Sequence, residues 1–417
     1  MQQKFSTDRR PVADIRRENI SNILLYLRQF PTVSRQDLCA HSGLTGAGLS
    51  RNIRELLQAG LVIEESEEPV KGQLGRRRSL VRLNPDGAYV VGITIAANRK
   101  SVVIMNAVGT IVAAKEIYNL QLSDPRAALA KIAQIAHWLI DEFDINKQLI
   151  LGAGVVFGVP DGGISLTAKE VTSAVLGWHK TSIEEFLQPQ LGMPIRTVSR
   201  ARALLQVEIE NLFMVKPSQK YLLINSGFGL GAAYHDFGNA NSHAGRSNHT
   251  PSIQISHIAI PGVRSLCSCG RRGCLEQTGG GAGVIRKLYN IAPDKMLDFS
   301  RASENMATVF SALAAGDKIV RKAFYDVGRH FAHGIDIATA MLMPDQVFIA
   351  GEVGRQKNYI EGIRDGLAEI NPSFAPSRLR VCETRSADAS GIFALNAFLF
   401  SDDLNLEVLQ SLQRDAS

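Results

Sequence analysis

The sequence predicts a winged helix-turn-helix joined to a larger α/β body, and three observations carry that prediction. Residues 1–83 contain two short helices separated by a glycine-bearing turn and followed by a pair of strands. From residue 84 onward, β-type segments alternate with helical ones, the pattern of an α/β sheet architecture. Charge follows the same division. The 417 residues have a net charge of +6, and residues 1–82 contribute most of it, with 14 Lys and Arg against 9 Asp and Glu. A basic end on a near-neutral body is the electrostatic outline of a nucleic-acid-binding module on a larger domain. A basic terminus that is merely solvated has the same charge, so the local pattern has to decide.

In the first module Ile20, Ile23, Leu24 and Leu27 recur at the spacing of an amphipathic helix, which Pro31 and Thr32 end. Ser34 opens a second helix: its hydroxyl can accept a free backbone N–H, and Asp37 can reach back. Leu38, Cys39 and Ala40 lie on it. His41, Ser42, Gly43 and Leu44 form a turn in which Gly43 is free to take positive φ. Thr45 caps a third helix, with Leu49, Ile53, Leu56 and Leu57 on one face and Gly60 at its stop. The exposed face is expected to carry Thr45, Ser50, Arg51, Asn52 and Arg54, types suited to base edges and phosphates in a major groove; Arg35 on the preceding helix joins them as a DNA contact. Gly46 and Gly48 weaken the third helix by about 1 kcal/mol each relative to alanine. Residues 61–64 and 79–83 read as paired strands. Between them Gly72, Gly75, Arg76, Arg77 and Arg78 make a basic wing suited to a narrow minor groove. A small helical bundle that contacts protein is the competing reading, but helices, turn, wing and basic tip in this order favour DNA.

The composition, 45% hydrophobic and 21% charged, is that of a globular chain with a substantial core. No apolar run reaches the roughly 18 residues of a membrane span. The polar first residues lack the apolar stretch of a secretory signal, so a cytoplasmic location is expected. In the body, strands are expected at residues 89–95, 101–105, 110–117, 149–156, 220–224, 231–234 and 347–350, and a helix at 125–143. The stretch 237–252, rich in Gly, Asn, Ser and His, reads as a long loop beside a site.

Three of the five cysteines crowd into Cys267-Ser-Cys269-Gly-Arg-Arg-Gly-Cys274, where Gly270 and Gly273 permit the chain to reverse. With His257 upstream, three thiolates and one imidazole make a closed tetrahedral structural zinc site, with no open position for catalysis. The alternative is three buried or redox-active cysteines.

At these residues the chain resembles the ROK group (repressors, open reading frames and kinases). Gln254-Ile-Ser-His257, followed by the cysteine motif and Leu275-Glu276, is similar to the two signatures of that family. Residues 16–83 resemble the winged helix of its repressor branch, and Asp388-Ala-Ser-Gly391 resembles its C-terminal segment. The resemblance implies an actin-like (ribonuclease H-like) two-lobed sugar-kinase fold. It also implies a homodimer or homotetramer that binds a pseudo-palindromic double-stranded DNA operator and releases it on binding a sugar or sugar phosphate. The expected units are a winged helix at 1–83, a first lobe at 84–200 completed by 388–417, and a second lobe at 201–387 with the zinc site and an oligomerisation surface.

The residues depart from the family's kinases where the chemistry would be. Gly92-Ile93-Thr94-Ile95-Ala96 stands for the first phosphate loop, with threonine in place of aspartate. After Pro194-Ile195 the kinase Asn-Asp-Ala-Asn run is replaced by Ser199-Arg200-Ala201-Arg202. Arginine stays protonated near neutral pH and cannot act as a general base, so phosphoryl transfer is expected to be lost. The second glycine run, Gly227-Phe-Gly229-Leu-Gly231, reads as an inherited tight turn. Ser199, Arg200, Gln254, His257 and Glu276 are the expected ligand-binding residues; His257 would link zinc to the pocket. Gln for Glu and Arg for Asp make the pocket more cationic, which favours an anionic sugar derivative. The competing functions are an active ATP-dependent sugar kinase with an accessory DNA-binding module, and a ligand-independent DNA-binding protein with a degenerate pocket.

Overall fold

A computed structural model describes residues 12–66, 79–96, 99–158, 170–173, 176, 178–212, 219–237, 252–297 and 299–415. The first module comprises α1 (Val12–Gln29), β1 (Val33–Ser34), α2 (Arg35–Ser42), α3 (Gly46–Gln58), β2 (Val62–Ser66) and β3 (Ser79–Leu83). Ser34 caps α2 by accepting from the Asp37 N–H, and Thr45 caps α3 by accepting from the Gly48 N–H. Gly43, at φ 65°, takes the left-handed conformation that the turn between α2 and α3 requires. The strands form an antiparallel sheet in the order β1-β3-β2. The two-residue β1 is absent from the sequence reading because it is too short to show an alternation; its pairing of Val33 with Val81 closes the sheet against α2.

The body begins with β4 (Tyr89–Ile95), β5 (Lys100–Asn106) and β6 (Ile111–Glu116), an antiparallel meander. It continues through α4 (Pro125–Glu142), β7 (Ile150–Phe157), the small pair β8 (Val171–Ser173) and β9 (Trp178–Thr181), α5 (Ile183–Leu191) and β10 (Ile195–Ser199). β7 lies parallel to β4, and β10 parallel to β7. After α6 (Arg200–Asn211) come β11 (Lys220–Ser226), β12 (Leu230–Asp236), β13 (Ser252–Ile253), α7 (Glu276–Gly279), α8 (Gly281–Leu288), α9 (Phe299–Ala314), α10 (Lys318–Leu342), β14 (Gln346–Ala350), α11 (Lys357–Ile370) and β15 (Leu379–Val381). The sheet orders are β10-β7-β4-β5-β6 and β15-β14-β11-β12-β13. Each is thus a three-stranded meander whose first strand is extended by two parallel strands, the same topology used twice. Parallel pairs need helical crossovers, which explains the alternation seen in the sequence.

The run that stands for the first phosphate loop overlaps the strand expected at 89–95, and it is the strand that forms. Gly92 to Ala96 lies in and directly after β4, and Thr94 is buried with its hydroxyl donating to the Ser386 carbonyl. The run is apolar and buried on both faces, so it belongs to the sheet interior. It packs under α12 (Ser386–Phe398), which returns to the first sheet. A Cβ at Gly92 would lie 2.5 Å from the Gly391 nitrogen, and one at Gly154 would lie 2.9 Å from the Ala394 Cβ. Glycine is what lets this helix approach the strands.

The last helix, α13 (Leu406–Asp415), packs instead on the first module. Leu406 and Leu409 share one continuous core with Ile20, Ile23, Leu24, Leu27, Leu49, Ile53 and Leu56, and this core runs on through Val90, Met105, Leu395 and Leu399. The Gln410 amide donates to the Glu55 carbonyl at 3.2 Å, and the Ser21 hydroxyl to the Phe400 carbonyl at 2.8 Å. Burying each leucine is worth about 1.5–3 kcal/mol, so the winged helix is fixed to the body by hydrophobic contact as well as by covalent connection. The basic wing residues Arg76, Arg77 and Arg78, and most of the expected loop at 237–252, lie outside the described residues.

Candidate functional site

Three groups of expected residues can be placed. On the winged helix, Arg51 is 71% exposed and only loosely paired with Glu55 at 3.5 Å; Arg54 and Thr45 are also exposed. Ser50 is half-buried. Asn52 is a correction. It is 6% exposed and points to the core side of α3, because it falls three residues after Leu49 and four before Leu56 and so lies within the apolar arc. Arg35 is a second correction. Its guanidinium forks onto Glu64 of β2, with Nε and Nη2 donating at 2.6 and 2.7 Å, and Nη1 reaches Ser50 at 3.4 Å. That bidentate pair ties α2 to the sheet and holds the Glu64 carboxyl below its usual range. Arg35 therefore organises the module, and Arg51 and Arg54 are the arginines of α3 left facing outward.

The cysteine segment folds into a knuckle held by single bridges between Ala259 and Cys274 and between Leu266 and Arg272. Gly270 and Gly273 take φ of 83° and 78°; a Cβ at Gly273 would lie 2.6 Å from the Val263 carbonyl oxygen. The ligand atoms of His257, Cys267, Cys269 and Cys274 all lie within 4.8 Å of one another. Cys269 and Cys274 sulfurs are 3.6 Å apart, and Cys267 Sγ is 3.8 Å from His257 Nδ1. A tetrahedral ion with Zn–S near 2.3 Å and Zn–N near 2.0 Å separates its ligands by about 3.6–3.8 Å, so the four groups fit a structural metal. The sequence reading missed what supports them. Arg286 Nε donates to Gln277 Oε1 at 2.9 Å, Gln277 Nε2 lies 3.7 Å from Cys267 Sγ, and Arg286 also binds the Leu266, Ala292 and Lys295 carbonyls.

Glu276 is fully buried beside this knuckle. Its Oε2 lies 3.8 Å from Cys267 Sγ, and Oε1 has no hydrogen-bond partner among the described residues. A Cβ at Gly229 would come within 2.7 Å of Oε1, which places the carboxyl against the Gly227-Phe-Gly229 turn. Burial pushes its pKa up to about 7. His257 is buried on a short 3₁₀ turn, and Gln254 is exposed at the start of that turn.

The remaining pair stands at the edge of the first sheet. Ser199 ends β10 and precedes α6 without a side-chain capping bond, and Arg200 is the first residue of α6. Arg200 is 7% exposed, and its Nε has no hydrogen-bond partner among the described residues. Burial and the neighbouring Arg99 and Arg355 guanidiniums lower its pKa, while Glu352 opposes them, leaving it at about 10. Arg200 is therefore still protonated at neutral pH and cannot accept a sugar hydroxyl proton. Arg99, Glu352 and Arg355 went unnoticed in the sequence because each stands alone there, far from Arg200 along the chain and in no motif.

A winged helix that shares a core with a body of two like-ordered sheets, carrying a His-Cys-Cys-Cys cluster, defines a class: a winged helix-turn-helix protein built on an actin-like, sugar-kinase-type fold. The chain belongs to the ROK family, whose model matches residues 90–399. Residues 21–71 match the MarR family model, within the winged helix. The chain is 21% identical over 387 residues to the xylose repressor of Caldicellulosiruptor bescii, covering 89% of this chain and 93% of that protein. It is 23% identical over 349 residues to the DNA-binding transcriptional dual regulator NagC of Escherichia coli K12, covering 81% of each. Among solved structures, a ROK family transcriptional regulator described as a homologue of the E. coli MLC protein superposes with a TM-score of 0.68 at 19% identity, over 95% of this chain and 100% of that one. A ROK family glucokinase from Streptomyces griseus, in complex with glucose and AMPPNP, gives 0.56 at 17% identity, over 74% of this chain and 99% of that one. These likenesses bear out the actin-like fold. No described helix is long and apolar enough to cross a membrane.

Proposed function

We propose that this chain is a DNA-binding transcriptional regulator, acting as a repressor of carbohydrate-related genes, that responds to a sugar or anionic sugar derivative and transfers no phosphoryl group. One observation carries the reading. Helix α6 starts at Arg200, in the position of the kinases' base, and near its other end Glu210 is 3.0 Å from Arg28 Nη2 of the winged helix. Arg28 Nη1 also donates to Asn396 Oδ1 of α12 at 2.9 Å. A change at the cleft end of α6 would thus be felt by α1 through a rigid element, the kind of two-site connection that ligand control of DNA binding requires.

In this reading Thr45, Ser50, Arg51 and Arg54, with the wing arginines, meet the operator. Ser199, Arg200, Gln254, His257 and Glu276 line the effector pocket. The His257-Cys267-Cys269-Cys274 cluster holds a structural zinc ion. The protein is a cytoplasmic homodimer or homotetramer on a pseudo-palindromic site. Residues 1–83 form the DNA-binding unit, 84–200 with 388–417 the first lobe, and 201–387 the second.

Fluorescence anisotropy with the DNA upstream of its own coding region tests this, with and without xylose, glucose, N-acetylglucosamine and their phosphates. Binding that weakens at least tenfold with one of these supports the reading. Absence of DNA binding, or ATP-dependent phosphorylation of any of the sugars, overturns it. DNA binding indifferent to every ligand overturns the effector part.

A further inference from the structure

The place where the two sheets meet carries more positive charge than the ligand-binding residues above account for. β4, β7 and β10 are parallel, so their carboxyl ends share one edge of the first sheet; β11, β14 and β15 likewise share one edge of the second. Arg99 follows β4, Arg200 follows β10, and Glu352 and Arg355 follow β14. The two edges meet here: Arg99 Nε is 3.8 Å from Glu352 Oε1. Carboxyl ends of parallel strands are where open α/β sheets bind ligands.

Three guanidiniums surround this point. Glu352 pairs with Arg99 and acts electrostatically on Arg200, and Glu116 lies 4.0 Å from Arg99. Arg355 Nη2 donates to the Thr384 carbonyl at 3.3 Å, while its buried Nε, like that of Arg200, has no hydrogen-bond partner among the described residues. Arg200 also stands at the first position of a 12-residue helix, where the helix dipole opposes a cation. A buried cation in that place, with an unused donor, is stabilised by an anion that accepts from it and from the helix end.

We propose that Arg99, Arg200 and Arg355 form a binding site for a phosphoryl group at the meeting of the two sheet edges. The site rests on the reading of the body as an effector-binding domain and names the chemistry it recognises. Arginine forks match the tetrahedral oxygens of a dianion, and Glu352 holds Arg99 toward the centre until the ligand arrives. A ligand drawing on all three arginines touches both lobes, so it would set the angle between them.

Isothermal titration calorimetry of the full chain with inorganic phosphate, glucose 6-phosphate, glucose and AMP tests this, together with the R200Q, R99Q and R355Q variants. The partly exposed Arg99 provides the variant that folds if R200Q does not, and thermal unfolding reports folding of each. At least one phosphoryl compound should bind, unphosphorylated glucose should not bind at this site, and each substitution should weaken binding at least tenfold. The phosphate compound that binds tightest identifies the source of the group. No binding by any of the three phosphoryl compounds, or binding that R99Q and R355Q leave unchanged, overturns the site. Arginine-dependent phosphate binding without effect on operator affinity would keep the site and remove the effector reading. Operator release by a neutral sugar, with no arginine-dependent phosphate binding, would do the reverse.

Discussion

The ion pair between Arg28 and Glu210 joins α1 of the winged helix to α6 of the body, and its strength can be worked out. The side chains are 17% and 19% exposed, and the charged atoms are 3.0 Å apart. Asn396 donates to the other Glu210 oxygen, and Arg28 lies over the Phe400 ring at 5.0 Å. Two unit charges near 4 Å attract by about 4 kcal/mol at an effective dielectric of 20, and desolvation offsets part of this. Removing one partner leaves the other buried and uncompensated, which costs about 3 kcal/mol for pairs of this kind; removing both costs much less. R28M alone should therefore lower the melting temperature by roughly 6–12 °C, on the scale of about 2–4 °C per kcal/mol for a unit of 150–250 residues. The R28M/E210L double variant should recover at least half of that. Burial already raises the Glu210 pKa above the ordinary 4.5, against the pull of Arg28, Asn396 and Gln206. A carboxyl raised in the folded state contributes stability that is complete below its unfolded pKa and is lost as pH rises through its folded pKa. The R28M deficit should accordingly shrink as the pH is lowered from 7.5 toward 5. Scanning fluorimetry of the four proteins of the cycle at both pH values measures all of this. Single variants within about 1 °C of wild type, or effects that simply add, would refute the reasoning.

Two further outcomes are expected. R51A and R54A should each weaken operator binding and reduce the salt slope by about 0.9 where the arginine meets a phosphate, whereas N52A should lower stability by about 1 kcal/mol without altering sequence preference; anisotropy across a salt series, compared with melting curves, separates them, and unchanged slopes would displace α3 as the recognition helix. Elemental analysis should find one zinc per chain, and a strong chelator or C274S should lower the melting temperature by several degrees; a metal-free chain of unchanged stability would count against a structural role.

Local features of the fold were legible in the sequence because they depend on neighbours along the chain. Ser34 and Thr45 announce their helices through capping oxygens placed before them, and both bonds are present. The buried strands of both sheets show as short apolar runs between turns, and the cysteine knuckle as thiols spaced by glycines. The errors came where a local pattern has more than one geometrical outcome. Asn52 is polar, but the helical period places it between Leu49 and Leu56. Arg35 suits a phosphate, yet Glu64 lies within reach of it only after β2 packs beside α2. The run from Gly92 to Ala96 stands where a phosphate loop would lie, but its burial makes it the end of the strand that the apolar pattern at 89–95 predicts.

By itself, then, the sequence determined the order of a winged helix and an α/β body, the four residues of the His-Cys-Cys-Cys cluster, and an arginine at position 200, since each of these is written in residue identity and short-range spacing. Tertiary structure alone decided the contacts between residues a hundred or more positions apart. It joined α13 to the core of the winged helix, set Glu210 against Arg28, and brought Arg99 and Arg355 around Arg200. The physical reason is that burial and electrostatic interaction depend on distance in space. Two parallel sheet edges and one returning helix set those distances here, and no periodicity along the chain encodes them.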